Sequence, residues 1–206
     1  MTTYFITGIS TDVGKTVIAA IVTEALQADY WKPIQAGDLD NSDTHKIKKY
    51  VSNDISQYHD NAFALKTPMS PHAAAEIDNV KVSVAKIKRP KTKKDLVIEG
   101  AGGILVPINE TETIADLIRP TDKIIVVSRH YLGSINHSLL TINYLKEQGF
   151  KHIGIIFSGD EHPTTEAAIT KMTGVTVIGR IDEEPYIDKW VVSEYAELFR
   201  DGLRSL

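Results

Sequence analysis

The stretch GISTDVGKT at residues 8–16 decides how the rest of the sequence is interpreted. It follows a short apolar run, opens an amphipathic stretch, and nearly matches the phosphate-binding pattern of Gly, four residues and Gly-Lys-Ser/Thr. Five residues rather than four separate Gly8 from Gly14, and the position where the first glycine is expected holds Ile9. The stretch is therefore either a phosphate cradle with one additional residue or a turn that ends in Gly-Lys-Thr.

The context of this stretch favours the phosphate cradle. A loop between a strand and a helix directs its backbone N–H groups, here those of residues 12–16, toward phosphate oxygens, and the helix N-terminus adds a positive dipole. Lys15 can then reach the outer phosphates, and the hydroxyl of Thr16 can ligate Mg²⁺. The alternative is a strand, turn and helix that carry Lys15 on the surface. The additional residue lengthens the turn at Gly8 but does not by itself break the cradle.

The composition is that of a globular protein without thiol chemistry. The chain has 206 residues, which suits a single domain, and its formal net charge is -4. Because it has no cysteine, the sequence excludes disulfides, thiolate metal sites and cysteine nucleophiles, and it fits a cytoplasmic protein. No apolar run approaches the ~20 residues of a membrane helix, and the N-terminus has no signal-peptide pattern, so we expect no membrane partner.

The basic segment KIKRPKTKK, residues 86–94, allows two interpretations. Clustered lysines and arginines can bind nucleic acid. No aromatic residue interleaves these charges and the whole chain is acidic, so a solvated loop before a buried strand is the better interpretation. We expect no nucleic-acid partner.

Short apolar runs alternate with amphipathic stretches along the chain. The runs are rich in Val and Ile and do not alternate with polar residues, which is typical of strands buried on both faces. They lie at residues 3–7, 95–99, 123–128, 152–157 and 176–179, with a weaker candidate at 29–33. Helical stripes lie at residues 15–28, 134–149, 164–174 and 188–203, and the second begins at a Ser that can cap it. Residues 50–90 are irregular and indicate loops with short helices.

This alternation predicts an α/β fold, with a mostly parallel central sheet and helices on both faces, like the P-loop NTPases. No linker or repeat divides the sequence, so we expect residues 1–206 to form one domain. Ligands of such folds bind at the carboxyl ends of the strands. We therefore look for the chemistry in the loops that follow the strands.

Two acidic residues and a lysine fall on that edge of the predicted sheet. Asp43 comes after the second strand's loop, where it can either ligate Mg²⁺ or cap the helix that follows. Glu99 ends a strongly apolar strand, where a carboxylate is costly unless it meets a metal or a cation. The GAGG that follows lets a backbone approach a ligand closely, or forms a tight turn. Lys32 can neutralise charge on a transferring phosphoryl group, or can simply be solvated.

These segments together resemble the dethiobiotin synthetase family, whose members use ATP in biotin synthesis. The resemblance runs from residue 4 to about residue 180. It rests on GISTDVGKT, WKPIQAG (31–37), NSD (41–43), SPH (70–72), IEGAGG (98–103) and LGSINHSLLT (132–141). The loop of that family carries the same additional residue, so the position of Gly8 looks like a family feature.

The resemblance implies a phosphoryl-transfer reaction. Members of the family add CO₂ to one amine of 7,8-diaminopelargonate, ATP phosphorylates the resulting carbamate, and the second amine closes the cyclic urea with release of ADP and phosphate. Lys15 and Lys32 would be the catalytic residues that hold the γ-phosphoryl and carbamate oxygens. The metal, Mg²⁺, would be held by Thr16, Asp43 and Glu99. The residues expected around ATP are Asp12, Val13, Gly14, Lys15, Thr16, Val17, Asp43, Glu99, Gly100, Ala101, Gly102, Ser158 and Gly159.

For the substrate, the resemblance implies a site shared between two subunits. In the family, the start of a helix on the neighbouring subunit of a homodimer receives the substrate carboxylate, and GSINH (133–137) occupies this place here. The local pattern alone would instead assign Asn136 and His137 to capping and packing of the helix. The residues expected around the substrate are Thr11, Lys32, Ala36, Ser134, Ile135 and Asn136.

Three positions depart from the family pattern. Ala36 replaces a small hydroxyl residue that is often found there, which would remove one hydrogen bond to the substrate. Ser158 stands where an Asn commonly reads adenine, and Asp182 stands where a Pro is usual. The last two fall on the expected base pocket, so they leave the preferred nucleotide open.

Two other functions are open from the sequence alone. A partitioning-type regulatory ATPase usually carries a second lysine early in the loop, where this chain has Ser10. The third hypothesis is an amide-forming ligase of cofactor synthesis. Its glutamine-dependent members generally need an added amidotransferase region, for which a cysteine-free chain of this length has no room.

Overall fold

The computed structural model describes all residues from Met1 to Leu206. Its strands form a central sheet of seven strands, in the order β4-β2-β6-β1-β7-β8-β9, and a small separate sheet in which β3 pairs with β5. In chain order the strands are β1 (Thr3–Gly8), β2 (Asp29–Trp31), β3 (Ile34–Ala36), β4 (Tyr58–His59), β5 (Phe63–Leu65), β6 (Leu96–Gly103), β7 (Lys123–Arg129), β8 (Ile153–Ser158) and β9 (Thr176–Ile181).

All pairings between these strands are parallel, so each pair needs a crossover connection. The α-helices are α1 (Lys15–Leu26), α2 (Asp43–Tyr50), α3 (Pro71–Ile77), α4 (Ser134–Glu147), α5 (Pro163–Thr173) and α6 (Lys189–Ser205). Helices α1, α2 and α6 pack together, and α4 packs against α5, which gives two groups of helices on the sheet. None of the helices has both the length and the apolar composition that crossing a bilayer requires. The predicted α/β fold with a parallel central sheet is confirmed.

The central strands are buried because helices cover them. Phe5, Ile6, Val126 and Ile155 are fully buried in β1, β7 and β8. Burial of each such side chain stabilises the fold by about 1.5–3 kcal/mol. The sheet is therefore a firm support for the loops at its carboxyl edge.

The segment 50–90 is more regular than the sequence predicts. Strand β4 extends the central sheet beside β2, and β5 pairs with β3. These two strands are only two and three residues long, so they show no hydrophobic period. The weak strand candidate at 29–33 does form β2, but it stops at Trp31, shortly before Pro33, which has no N–H to donate to a ladder.

One alternative interpretation and one local prediction from the sequence are wrong. Residues 100–103 make no tight turn after Glu99; they continue β6, and Gly103 pairs with Gly8 after a shift of register. Ser134 does not cap α4, because Gly133 is the cap and Ser134 is the first helical residue. Gly133 has a φ of 103°, a left-handed conformation that glycine adopts without strain.

The basic segment 86–94 is mostly a loop that precedes β6, as the sequence predicts. Its exposed members are Lys86, Lys88, Lys91 and Lys93. Arg89 is different, because its Nη1 donates to Asp122 Oδ1 at 2.7 Å and its Nη2 donates to the Leu117 carbonyl at 2.7 Å. Asp122 is 1% exposed, so this guanidinium neutralises a buried carboxylate and anchors the loop.

This anchor predicts a large loss of stability in Arg89→Ala. The substitution leaves the buried Asp122 carboxylate without its cation, so we expect the free energy of unfolding to fall by about 3 kcal/mol. Urea denaturation measures the difference. The matched control is Lys91→Ala, an exposed position of the same segment, which should change stability by less than about 0.5 kcal/mol. Equal stability of the two variants would show that Arg89 does not anchor the segment.

Candidate active site

The loop GISTDVGKT turns back over the end of β1 and leads into α1. At Gly8, a Cβ would lie 2.6 Å from Val13 Cγ2 and 2.8 Å from the Ser10 carbonyl oxygen, so a side chain does not fit there. Gly14 caps α1 with a φ of 93°, and Asp12 also has a positive φ, of 53°. The loop therefore closes tightly although it is one residue longer than the common pattern, and its packing explains the glycine at position 8.

Lys15 lies inside this loop and not on the surface. Its Nζ donates to the Ser10 carbonyl at 2.8 Å, and the residue is 7% exposed. Burial and then the positive charge of Lys32 lower the pKa of Lys15 to about 8, while Glu99 opposes this shift. The alternative of a surface lysine is wrong.

Glu99 is the centre of the hydrogen bonds around the loop. Its side chain is 1% exposed, so its charge must be met by donors from the protein. Oε1 accepts from Thr16 Oγ1 at 2.9 Å and from Lys32 Nζ at 2.9 Å. Oε2 accepts from the Tyr30 hydroxyl at 2.7 Å. The carboxylate thus joins the start of α1 to β2 and to the residue that follows it.

Lys32 also contacts the second predicted acidic residue. Its Nζ lies 2.7 Å from Asp43 Oδ2. The residue is 4% exposed, so the solvated alternative for Lys32 is wrong. Burial lowers the pKa of Lys32, but the charges of Glu99 and Asp43 outweigh it and raise the pKa. The ammonium therefore remains charged between two carboxylates.

Asp43 is the first residue of α2 and does not cap the helix. The cap is Ser42, whose hydroxyl accepts from the His45 N–H, so the capping alternative for Asp43 is wrong. Burial raises the pKa of Asp43, but the charge of Lys32 and the hydrogen bond from it outweigh burial and lower the pKa. The backbone N–H of Asp43 donates to Gln35 Oε1 at 3.3 Å, which fixes the start of the helix beside the site.

The oxygen atoms of Thr16, Asp43 and Glu99 fit Mg²⁺ in combination with phosphate. Both carboxylates face the Lys32 ammonium, and the Thr16 hydroxyl bonds to one of them. The chain has no group of three or more His, Cys, Asp or Glu side chains that could hold a metal ion. Mg²⁺ commonly takes one or two carboxylates and completes its octahedral shell with waters and substrate phosphates. The three residues therefore suit an ion that binds together with a nucleotide.

These groups line one cleft of about 1290 Å³ at the carboxyl edge of the sheet. Pockets for one drug-sized ligand have about 300–1,000 Å³, so this cleft has room for a nucleotide and a second molecule. Ser70 and Pro71 of the SPH motif and His137 of α4 also face it. The predicted site residues that line it are Thr11, Asp12, Gly14, Lys15, Thr16, Val17, Lys32, Ala36, Asp43, Glu99, Ala101 and Gly102.

Four residues predicted to surround the nucleotide lie behind or beside this cleft. Val13 is buried beneath the loop, and Gly100 lies within β6. Ser158 ends β8, and Gly159 follows it directly. The Ser158 Oγ lies 3.1 Å from the position that a Cβ on Gly14 would occupy. The end of β8 is therefore a neighbour of the phosphate loop.

The three residues that start α4 lie outside the cleft of their own chain. Ile135 and Asn136 are exposed, whereas Ser134 is buried. The N–H of Ser134 donates to the Tyr131 carbonyl at 2.9 Å, so it is not available to the carboxylate that the resemblance implies at this helix start. The N–H groups of Ile135 and Asn136 make no hydrogen bond within the chain, as is usual in the first turn of a helix.

Three side chains of the site are not predicted from the sequence. The sequence could have indicated Tyr30, because residues two apart in a strand lie on the same face and Lys32 is two residues after Tyr30. Arg129 lines the cleft and pairs with Glu183 at 2.6 Å. It is a charged residue at the end of an apolar strand, which is the pattern that identifies Glu99. Gln35 carries no such signal, since its role depends on the placement of α2.

Comparison with solved structures gives the class of protein. A ParA family ATPase from Chlorobium tepidum matches 95% of this chain and 97% of its own, with a TM-score of 0.56 and 13% identity. The MinC:MinD cell division protein complex of Aquifex aeolicus has a TM-score of 0.57 and 16% identity, over 100% of this chain and 97% of its own. At such identities the likeness shows the fold alone. Together with the phosphate loop and the buried Lys15, this fold defines a P-loop nucleotide-binding protein.

Comparison of sequences gives the family. A family model described as an AAA domain matches residues 2–190. The ATP-dependent dethiobiotin synthetase BioD of Christiangramia forsetii is 69% identical over 97% of each chain, and that of Cytophaga hutchinsonii is 49% identical over 95% of this chain and 96% of its own. The chain belongs to the ATP-dependent dethiobiotin synthetase family, as the motifs predict. The partitioning-ATPase hypothesis is not favoured.

The lowered pKa of Lys15 predicts that ADP binding takes up protons near pH 8. With a pKa of about 8, about half of the Lys15 amines are neutral at that pH. A phosphate anion beside the amine favours its charged form, so we expect an uptake of about half a proton per ADP at pH 8 and little at pH 6.5. Calorimetry of ADP binding in buffers of different ionisation enthalpy measures this uptake.

The control for this experiment is Lys15→Arg. A guanidinium stays protonated at both pH values, so the variant should bind ADP without the uptake at pH 8. If the unaltered protein takes up the same number of protons at pH 6.5 and pH 8, Lys15 is not the group that titrates.

Proposed function

We propose that this chain synthesises dethiobiotin from 7,8-diaminopelargonate, CO₂ and ATP, with release of ADP and phosphate. Its membership of the family supports this reaction, because relatives at 69% and 49% identity are ATP-dependent dethiobiotin synthetases. The observation that carries the proposal is the contact of Glu99 with both Thr16 and Lys32, which couples the phosphate loop to a buried cation. Residues 1–206 would act as one domain, in the cytoplasm.

The phosphate loop binds the ATP phosphates in this proposal. Backbone N–H groups of residues 12–16 face the phosphate oxygens, and Lys15 holds the terminal phosphate. Ser158 lies beside Gly14 and Gly159 follows it directly, so adenine would extend toward the end of β8. The remaining nucleotide contacts would come from Val17 and from the backbone of Gly100, Ala101 and Gly102.

Thr16, Asp43 and Glu99 would hold Mg²⁺ between the protein and the phosphates. When bound, the ion neutralises charge on the β- and γ-phosphate oxygens. The hydroxyl of Tyr30 orients Glu99 through its hydrogen bond of 2.7 Å. Burial, and then the charge of Glu99, raise the pKa of Tyr30 well above its ordinary value. The hydroxyl therefore stays protonated and acts as the hydrogen-bond donor to Glu99.

The reaction asks the protein for positioning and charge stabilisation and not for a covalent nucleophile. One substrate amine adds to the carbon of CO₂ and loses a proton, which gives a carbamate. A carbamate oxygen attacks the γ-phosphorus of ATP, and ADP leaves. The second amine then attacks the carbamate carbon and loses a proton, and phosphate leaves as the cyclic urea forms. Lys32 stabilises the oxygens that carry negative charge in these steps, while Thr11 and Ala36 of the same cleft would contact the substrate.

Lys32→Ala should abolish most of the turnover. The substitution also leaves Glu99 and Asp43 without their cation, so we expect a protein that still folds but is less stable. Loss of one charge-stabilising donor commonly lowers kcat by about 100- to 1,000-fold. The assay is dethiobiotin formation from diaminopelargonate, bicarbonate, Mg²⁺ and ATP, and circular dichroism with a cooperative unfolding transition checks the fold. The matched control is Lys46→Ala. Lys46 Nζ lies 3.8 Å from Asp43 Oδ1, but its side chain is 34% exposed, so we expect a change of about twofold or less.

The assay tests the role of Lys32 and the proposed reaction separately. If Lys32→Ala keeps the rate of the unaltered enzyme, Lys32 is removed from the mechanism while the reaction stands. If the well-folded unaltered protein forms no dethiobiotin, the proposed function itself is overturned.

We also propose that the enzyme is a homodimer. The start of α4 in one subunit would bind the carboxylate of the substrate that occupies the cleft of the other subunit. The N–H groups of Ile135 and Asn136 are available to an anion, and the helix N-terminus adds a positive dipole. Exposed apolar side chains surround this helix start, which supports an interface there. They are Leu132, Ile135 and Leu140. Ser134 would contribute through its place in the first turn and not through its N–H.

A shared site predicts that two inactive variants restore each other. Lys32→Ala disables one part of the site, and Asn136→Asp places a negative charge where the substrate carboxylate would bind. In a mixed dimer one of the two sites then receives intact parts from both chains, so refolding an equal mixture should restore about a quarter of the activity.

The control is a mixture of Lys32→Ala with Asp43→Ala. These two changes fall on the same part of the site, so no mixed dimer has an intact site and the mixture should stay inactive. A site contained within one chain predicts no restoration in either mixture.

A further inference from the structure

Outside the cleft, a histidine, a glutamate and an arginine connect the ends of three neighbouring strands. Glu166, in the first turn of α5, accepts hydrogen bonds at Oε1 from His130 Nε2 at 2.9 Å and from Arg180 Nη2. His130 follows β7 directly, and Arg180 lies next to the end of β9. Arg180 Nη1 also donates to the carbonyl of Gly159, just after β8, at 3.3 Å. The side chains of His130, Glu166 and Arg180, called the brace below, thus connect the ends of β7, β8 and β9.

The brace is well packed. The exposed fractions of its side chains are 7% for His130, 18% for Glu166 and 19% for Arg180. The His130 ring stacks on Phe157, with 5.6 Å between the ring centroids. Burial raises the pKa of Glu166, but the hydrogen bonds from Arg180 and His130 outweigh burial and lower it. Hydrogen bonds to such a charged carboxylate are stronger than those between neutral groups.

A histidine paired with a carboxylate also occurs in general acid–base catalysis. In that role the second ring nitrogen must reach a proton of the substrate. Here Nδ1 of His130 is buried and has no hydrogen-bond partner, and none of the three brace side chains lines the cleft. The arrangement therefore favours a role in positioning over a role in proton transfer.

The residue that the brace holds, Gly159, directly follows Ser158, which is a neighbour of the phosphate loop. Gly159 has a φ of 90° and follows Ser158, whose Oγ lies 3.1 Å from where a Cβ on Gly14 would be. On its other side, the position of a Cβ on Gly159 lies 3.5 Å from Glu183 Oε2 and 3.9 Å from Arg129 Cγ. A displacement of Gly159 would therefore change the wall of the nucleotide site beside the loop.

We propose that the brace positions the wall against which the nucleobase packs, and so sets the affinity for the base without touching it. This inference rests on the proposed function, in which the phosphates of ATP occupy the loop. The other side of the loop holds Lys32, Asp43 and Glu99, whose charges suit a metal ion and the terminal phosphate but not an uncharged base. The base is thereby directed toward Ser158 and Gly159.

The test compares ADP with inorganic tripolyphosphate, which has the phosphates and no base. Glu166→Gln weakens the hydrogen bonds of the brace, so ADP should bind about tenfold more weakly, while tripolyphosphate should bind as to the unaltered protein. Arg180→Lys is the second variant, because it replaces the two guanidinium nitrogens that reach Glu166 and the Gly159 carbonyl separately with one nitrogen on a shorter side chain. It should give the same selective loss. The matched control is Glu161→Gln, an exposed position near the start of α5, which should change neither affinity.

Steady-state kinetics provide a second measurement. In Glu166→Gln the KM for ATP should rise by a similar factor, while kcat at saturating ATP and the KM for diaminopelargonate stay unchanged. Equal weakening of ADP and tripolyphosphate would overturn the proposal, because it would indicate general disruption of the loop. Unchanged ADP affinity in both variants would also overturn it. Because the binding assay needs no turnover, a selective loss in an enzyme that forms no dethiobiotin would support the brace and contradict only the proposed function.

Discussion

The site depends on the pairing of one buried carboxylate. Glu99 is 1% exposed, and an unpaired charge at such a position costs several kcal/mol. The hydroxyls of Thr16 and Tyr30 and the ammonium of Lys32 meet this charge. They come from two separate places in the chain, the start of α1 and the segment of β2 with the residue that follows it. The hydrogen bonds that stabilise the buried carboxylate also orient the phosphate loop and Lys32. Stability of the sheet edge and the chemistry of the site therefore depend on one set of hydrogen bonds.

The parallel sheet is what makes this pairing available. Strand β6 lies beside β1, and Glu99 is in register with Ile6, two residues before the loop begins at Gly8. Strand β2 lies on the other side of β6, which brings Tyr30 and Lys32 to the same carboxylate. Because every strand runs in the same direction, the loops that follow them open on a single edge. The long loop fits there because Val13 packs over the glycine that ends β1.

The sequence predicts the parts of this structure that have a strong local pattern. The apolar runs identify β1 and β6 to β9, and the cost of a carboxylate at the end of such a run identifies Glu99. Strands β4 and β5 are too short to show a hydrophobic period, so the sequence does not predict them. The cap of α4 is predicted wrongly because Ser at a helix start is a common cap, whereas here the backbone of Gly133 takes that place. Glu166 lies on an ordinary helix, and its partners are distant in the chain, so no local pattern marks it.

In the proposed reaction, the buried carboxylate of Glu99 places a divalent ion and Lys32 around the terminal phosphate. The most direct measurement is a crystal structure with ADP, Mg²⁺, diaminopelargonate and aluminium fluoride, which takes the place of the transferring phosphoryl group. We expect a metal at about 2.1 Å from Thr16 Oγ1, bonded directly or through one water to Glu99 and Asp43. We also expect the Lys32 Nζ at hydrogen-bond distance from the fluoride. A metal bound away from both carboxylates, or a Lys32 turned away from the transferring group, would contradict this arrangement.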